Sequence, residues 1–225
     1  MFMERPAGCS WNRRPDAVEC AGEIGRELLD LFEAEGIVGL AIWENGWRHL
    51  TTRTPVDGPE DLDGLRLRTM QNQVHMSAFD ALGANPVPMA WGEVFTSLGQ
   101  GVIDAQENPI TVIYTNSLWE VQDHVTLTGH VYGPHVVLFS QMVWEGLPEE
   151  ARSVILEVMP EVTAYQRQQS QRLEAEQIEL LREEGMTVSE IDTAPFREQA
   201  AVVYDDFADQ IDSDMLEAIR AAASD

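Results

Sequence analysis

The sequence predicts an α/β fold, and three observations carry that expectation. Between Asp61 and Pro109, short apolar stretches alternate with helix-spaced ones in the order strand, helix, strand, helix, strand. Ile37-Val38-Gly39-Leu40-Ala41-Ile42-Trp43 is a continuous apolar run, the mark of a strand buried on both faces. Residues 148–184, bracketed by Pro148 and Gly185, read as one long helix.

Residues 1–16 carry no periodicity and are read as loop or disordered chain. Helical spacing begins near Ala17, with Ile24, Leu28, Leu31 and Phe32 on one face and Gly36 as a natural stop. After the apolar run, Asn45-Gly46 predicts a tight turn, and Trp47 to Thr51 a second extended segment. Thr54 to Leu62 reads as a linker. The strand Leu65–Met70 follows, then a helix that buries Met76, Phe79 and Leu82 and stops at Gly83. Asn85–Met89 is short and extended. A second helix starts near Trp91 and buries Val94, Phe95 and Leu98. The third strand closes in Gln106-Glu107-Asn108-Pro109. Ile110–Trp119 predicts a short helix, and Val125–Leu127 and Val136–Phe139 two strands. A helix over 148–184 would span roughly 50 Å. That exceeds one compact lobe, so it is expected to cross two, with Pro160 kinking or splitting it. Met186–Ile191 predicts a strand and Pro195–Ala222 a terminal helix.

At 225 residues the chain can bury a core as one large domain or two small lobes. Its 39 acids face 14 bases, a net charge of −25, and every base is arginine. This balance excludes a nucleic-acid-binding surface, which needs basic patches, and argues against an anionic membrane surface. It suits an acidic, well-solvated surface; an acidic docking face for a basic partner is the other reading. Cys9 and Cys20 make no disulfide framework, and no Cys/His spacing suggests zinc. No apolar run reaches the roughly 18 residues of a membrane span. Residues 1–16 lack the apolar centre of a signal peptide.

Ligands of open α/β sheets sit outside the carboxyl ends of the strands. Arg68 ends one strand, Arg48 lies in an extended segment, and Gln106 and Asn108 end another. A guanidinium takes a carboxylate bidentately, and amides add donors. Each arginine could instead pair with a neighbouring acid such as Glu44 or Asp61, and the amides could cap a turn before Pro109. Trp91, beside a proline-rich loop, could wall a pocket or pack in the core. The histidines show no HExxH, and there is no GxSxG, P-loop or GxGxxG. Glu93 and Glu107 could serve acid–base chemistry, or be solvated or structural.

Four stretches in this order resemble the signature of the DctP-type solute-binding proteins of TRAP (tripartite ATP-independent periplasmic) transporters. They are Glu44-Asn45-Gly46-Trp47-Arg48, Asp61-Leu62-Asp63-Gly64-Leu65-Arg66-Leu67-Arg68, Leu82-Gly83-Ala84-Asn85-Pro86-Val87-Pro88-Met89 with Glu93-Val94-Phe95, and Gly101-Val102-Ile103-Asp104-Ala105-Gln106-Glu107-Asn108-Pro109. The likeness runs from about Glu23 to the C-terminal helix. It implies a periplasmic protein of two α/β lobes, in the type II periplasmic-binding-protein architecture, that close on a small organic-acid carboxylate and deliver it to small and large membrane subunits. It implies neither catalysis nor a cofactor, metal, nucleic acid or inserted membrane segment. Residues 17–45 and 134–173 would form lobe I, and 46–133 and 174–225 lobe II.

Carried over by residue, Arg68 matches the family arginine that clamps the carboxylate, and Arg48 a second arginine. Asn108 matches an amide at the same carboxylate; Trp91 and Gln71 match an aromatic wall and a polar contact. Two departures stand out. Ala105 replaces the family's glycine, which matters only if that position needs positive φ. The chain also starts late against the family, so the first lobe is expected to be incomplete. Two alternatives remain at this point: a small-acid lyase or hydrolase using Glu107 with an arginine anchor, and a truncated remnant that binds nothing.

Overall fold

In the computed structural model, which describes residues 22–210 and 212–222, the alternating pattern becomes strands and helices in close succession. The helices are α1 (Glu23–Asp30), α2 (Gln73–Ala81), α3 (Trp91–Gly99), α4 (Ile110–Thr115), α5 (Gln141–Gly146), α6 (Glu149–Glu183), α7 (Ala194–Ala200), α8 (Val202–Asp206) and α9 (Ser213–Ala222). The strands are β1 (Ile37–Thr52), β2 (Arg66–Thr69), β3 (Asn85–Pro88), β4 (Ala105–Pro109), β5 (His124–Ser140) and β6 (Thr187–Ser189). Cys9, Cys20 and the helical spacing from Ala17 to Ala21 lie outside the described residues. No described helix is long and apolar enough to cross a membrane.

The described chain divides into two compact units, one of residues 46–132 and 173–210, the other of 22–45, 133–172 and 212–222. β1, β5 and α6 each give one part to either unit.

The first unit contains the sheet pairings that matter for the site. Strand order is β3-β2-β4-β1-β5-β6. β2 runs parallel to β3 and β4, and β6 parallel to β5. β1 runs antiparallel to β4, with Arg48 opposite Pro109 and Leu50 opposite Glu107. One sheet face buries Leu50, Leu67 and Ala105 against Phe79 and Leu82 of the α2 region and Phe196 and Ala200 of α7. A smaller cluster joins Ala78 to Val203 and Phe207. Asn72 starts α2 by accepting a hydrogen bond from the His75 backbone N–H, at 3.1 Å, through its side-chain oxygen.

In the second unit the first part of α6 is fastened to the first part of β1 by side chains. Gln166 bonds both the N–H and the C=O of Glu44, at 2.9 and 2.8 Å, as a neighbouring strand would. Arg167 donates to the Ile42 carbonyl, Gln171 to the Glu44 carboxylate and Trp43 to Thr163. Gly39 has to be glycine: a Cβ there would lie 2.8 Å from the Leu29 carbonyl oxygen of α1.

Several expectations change. Asn45-Gly46 makes no tight turn, because a two-residue hairpin turn of that kind needs positive φ at both central residues and only Gly46 (φ 105) has it; the strand runs on through it. Val125–Leu127 and Val136–Phe139 are parts of one strand, since Pro134 between them costs a strand only one donor. Pro160 does not split α6; it sits on exposed surface, where water can take the freed carbonyl. The expected helix 195–222 is three helices, with Asp212 starting the last by accepting from the Met215 N–H. Phe95 is 39% exposed, whereas Phe79 is 3% exposed. Ala105 lies in β4, and Ser117 alone among the described non-glycine residues has positive φ, so the methyl is accommodated.

Phe79→Ala is expected to cost roughly 3–5 kcal/mol, and Phe95→Ala much less. Urea unfolding of the two variants checks this; equal losses would contradict the packing described.

Candidate functional site

The polar groups at the carboxyl ends of β2 and β4 lie within the first unit. On β2, Arg66 and Arg68 share a strand face but differ in surroundings. Arg66 is exposed and paired with Asp104 through Nη2 at 2.7 Å. Arg68 is 5% exposed. Its Nε and Nη2 both donate to the Met89 carbonyl, at 3.0 and 2.8 Å. Its guanidinium lies 5.4 Å from the ring centre of Trp91, the first residue of α3, within cation–π range. The loop from β3 to α3 thus holds Arg68 by a neutral carbonyl and an aromatic ring. Among the described residues no carboxylate forms an ion pair with it. Burial lowers its pKa, partly offset by the nearby Glu107; a guanidinium stays charged regardless.

Arg48 is held differently. Its Nε and Nη2 grip the two Glu107 carboxylate oxygens, Nη2 at 2.7 Å from Oε1. Nη2 also donates to the Glu107 carbonyl at 2.7 Å and to Asn108 Oδ1 at 3.0 Å. Arg48 therefore pairs with an acid, but neither of the sequence neighbours Glu44 and Asp61. Glu107 is fully buried and also lies 3.0 Å from His130 Nε2. His130 Nδ1 is 2.7 Å from the Thr128 hydroxyl. Burial favours the neutral ring; in that form Nε2 donates to Glu107 and Nδ1 accepts from Thr128. Burial alone would raise the Glu107 carboxyl; the His130 and Arg48 hydrogen bonds outweigh it and hold it at about 2. His75, in the first turn of α2, brings Nδ1 to 3.9 Å from Glu107 Oε1.

Asn108 Nδ2 donates to Gln106 Oε1 at 2.6 Å, and Gln106 Nε2 to the Thr51 hydroxyl at 2.9 Å, which reaches Gln122. The structure thus brings Arg68 to Trp91 and Arg48 to Asn108, and the charge of Glu107 is felt at Arg68. Gln71 is exposed in the β2–α2 connection, and among the described residues no hydrogen bond or ion pair ties it to the others. Glu93 is exposed on α3 while Glu107 is sealed, so the two acids have unlike surroundings. Reasoning from the sequence missed Glu107 as an organising group, and His130 and His75 with it. A polar alternation, Thr126-Thr128-His130, within an otherwise apolar strand was the available signal. Among the described residues no group of three or more His, Cys, Asp or Glu is arranged to hold a metal.

Burial, against the pull of Glu107, lowers the His75 imidazole to about 4, and burial lowers His130 as well. Unfolded imidazoles titrate near 6.5. Between those values the unfolded chain binds more protons, so stability rises with pH there and is lost as pH falls. The urea midpoint is expected to drop as pH falls from about 6.5 to about 4, and His75→Gln to flatten part of that drop. An unflattened profile would remove His75 from this account.

Comparison with known proteins sets this geometry in a family. The profile of the bacterial extracellular solute-binding proteins, family 7 (DctP), matches residues 19–210. A solute-binding protein of Verminephrobacter eiseniae is 40% identical over 203 residues, covering 89% of this chain and 61% of its own length. The C4-dicarboxylate-binding periplasmic protein DctP of Rhodobacter capsulatus is 33% identical over 208 residues, covering 91% of this chain and 62% of its own. The chain spans about three fifths of the length of these two relatives. Among solved structures, a TRAP periplasmic solute-binding protein from Polaromonas sp. JS666, bound to D-erythronate, superposes with a TM-score of 0.86 at 39% identity, covering 94% of this chain and 71% of that one. One from Shewanella oneidensis, with bound succinate, gives a TM-score of 0.86 at 34% identity, covering 92% and 70%. The α/β fold expected from the sequence is the fold of these structures. The chain belongs to the bacterial extracellular solute-binding proteins of family 7, the DctP family.

Proposed function

We propose that this protein captures a small organic-acid carboxylate, with Arg68 as the anchoring cation, and serves as the substrate-binding component of a TRAP transporter. The observation that carries the reading is the state of Arg68: a buried guanidinium at the carboxyl end of a parallel strand, turned toward a carbonyl and an aromatic ring rather than an acid. A buried cation without a counter-ion is costly unless an anion completes it. Asn108 adds an amide beside Arg48. Among the described residues, Glu107 and Asn108 take the Nε and Nη2 donors of Arg48, and Nη1 is the donor group offered to a ligand. Trp91 forms a wall over Arg68, and Gln71 is an outer polar contact. The relatives named above carry D-erythronate or succinate, or are named for C4-dicarboxylates, which supports a carboxylate ligand. The protein acts in the periplasm and hands its ligand to the membrane subunits. Binding proceeds without chemistry, because the Glu107 oxygens are engaged by Arg48 and His130 and sealed from substrate.

Two tests follow. In calorimetric titrations with sugar acids and dicarboxylates, Arg68→Ala should weaken the best ligand by about a hundredfold, the worth of two charge-assisted hydrogen bonds. Undiminished affinity would reject Arg68 as the anchor. A bound acid incubated for hours with the protein should be recovered chemically unchanged; turnover would restore the enzyme reading.

A further inference from the structure

The sheet face that carries Arg68 carries a second set of polar groups. Arg68 lies beside Gln106 of β4, and His49 of β1 lies opposite Asn108. Residues two apart on a strand share a face, so Arg68, Gln106, Asn108 and His49 point to one side of the sheet. The second part of α6 meets His49 on that side through a buried stripe of Glu174, Gln177 and Leu181. A helix stripe against a sheet is ordinarily apolar. Leu181 is, but Glu174 and Gln177, 5% and 7% exposed, are not. Burying such groups costs free energy unless hydrogen bonds complete them. Gln177 Oε1 takes no hydrogen bond among the described residues.

His49 and Glu174 present a donor and an acceptor side by side. His49 Nδ1 accepts the Gly129 N–H at 3.1 Å, so a ring proton sits on Nε2, which lies 3.9 Å from Glu174 Oε1. The other Glu174 oxygen lies near the end of β4. A Cβ built at Gly46 would be 3.2 Å from Glu174 Oε2 and 3.8 Å from Pro109 Cβ, so the glycine leaves room for the carboxylate there. At 3.9 Å the two groups are too far apart to bond each other, yet one oxygen about 2.8 Å from each bridges them.

We infer that His49 and Glu174 form a hydroxyl-recognition subsite, so that the carboxylate held by Arg68 belongs to a hydroxylated acid of the sugar-acid class. A hydroxyl donates to Glu174 and accepts from His49 at once. A carboxylate or keto oxygen only accepts, and sets its lone pairs against those of Glu174. A methylene offers neither and takes water from both groups. The inference rests on the carboxylate reading of Arg68 given above and narrows it to acids that bear hydroxyls. Asn108, opposite His49 in the strand register, lies between the anchor strand and this subsite. His49 and Glu174 therefore set which acid is preferred, while Arg68 holds the group common to all of them.

The test uses the 225-residue chain near neutral pH and two pairs of acids, each with and without hydroxyls: D-erythronate with butyrate, and D-galactonate with hexanoate. Dissociation constants come from calorimetry. Wild type should bind the hydroxylated member of at least one pair about tenfold or more tightly than its plain counterpart, the scale of one charge-assisted hydrogen bond. Glu174→Gln keeps the shape and weakens the acceptor; it should cost that acid about tenfold and leave the plain acid unmoved. His49→Asn keeps an acceptor for the Gly129 N–H and removes the Nε2 donor; it should cost the same acid roughly three- to tenfold. A wild type that binds plain acids as tightly, or a folded variant whose loss is absent or shared equally by both acids, overturns the inference while leaving Arg68 as anchor. So does a chain that binds only carboxylates without hydroxyls. Binding of no carboxylate by the folded chain overturns the carboxylate reading itself, and the inference with it. Should one variant not fold, the other decides, and should neither fold, the wild-type ratio does.

Discussion

A carboxylate that reaches no water must be matched by donors or take up a proton, and Glu107 is such a group. The structure meets the demand with a guanidinium and an imidazole. Much of the site follows from that one requirement. Arg48 is turned inward and held by its partner. His130 is fixed in one tautomer with Thr128 behind it. The strand end that carries Glu107 also carries Asn108 and Gln106, whose amides are drawn into a chain reaching Thr51 and Gln122. Removing one member of such a pair typically costs about 3–5 kcal/mol, because the other is left charged and dry. The pair is thus as much a constraint on the fold as a feature of the site.

The sheet makes this pairing affordable in geometry. β2 and β4 run in the same direction, so Arg68 and Gln106 end side by side. β1 runs the other way and pairs with β4 through its last part, Arg48 to Thr52, which places Arg48 opposite Pro109 and within reach of Glu107. Antiparallel insertion of one long strand therefore lets Arg48, an interior residue of β1, take part at the end of β4. The same strand passes through Gly46, whose positive φ does not end it.

What the sequence disclosed follows from the range of each interaction. Local periodicity gave α2, α3 and α6 and the strands beside them, and four ordered motifs pointed to the family later matched over 19–210. The position of Arg68 at a strand end could be read from the same pattern. Its aromatic neighbour Trp91 could be named but not placed. The partner of Arg48 could not be found locally: Glu107 is 59 residues away, joined only by antiparallel pairing, while nearer acids competed for attention. Turn chemistry misled at Asn45-Gly46 because the pair was judged without the φ of Asn45. Ends of helices misled at 195–222 because the start signal at Asp212 looks like any acid in an acidic chain.

The indole of Trp91 lies 5.4 Å from a guanidinium and is still 36% exposed. Its excited state has a dipole that senses nearby charge, so its emission colour depends on what Arg68 is facing. Six tryptophans share the signal, and among the described ones Trp91 is set against the Arg68 guanidinium. A chain with the other five replaced by phenylalanine would carry a built-in optical gauge of the local field, readable in dilute solution without any attached dye.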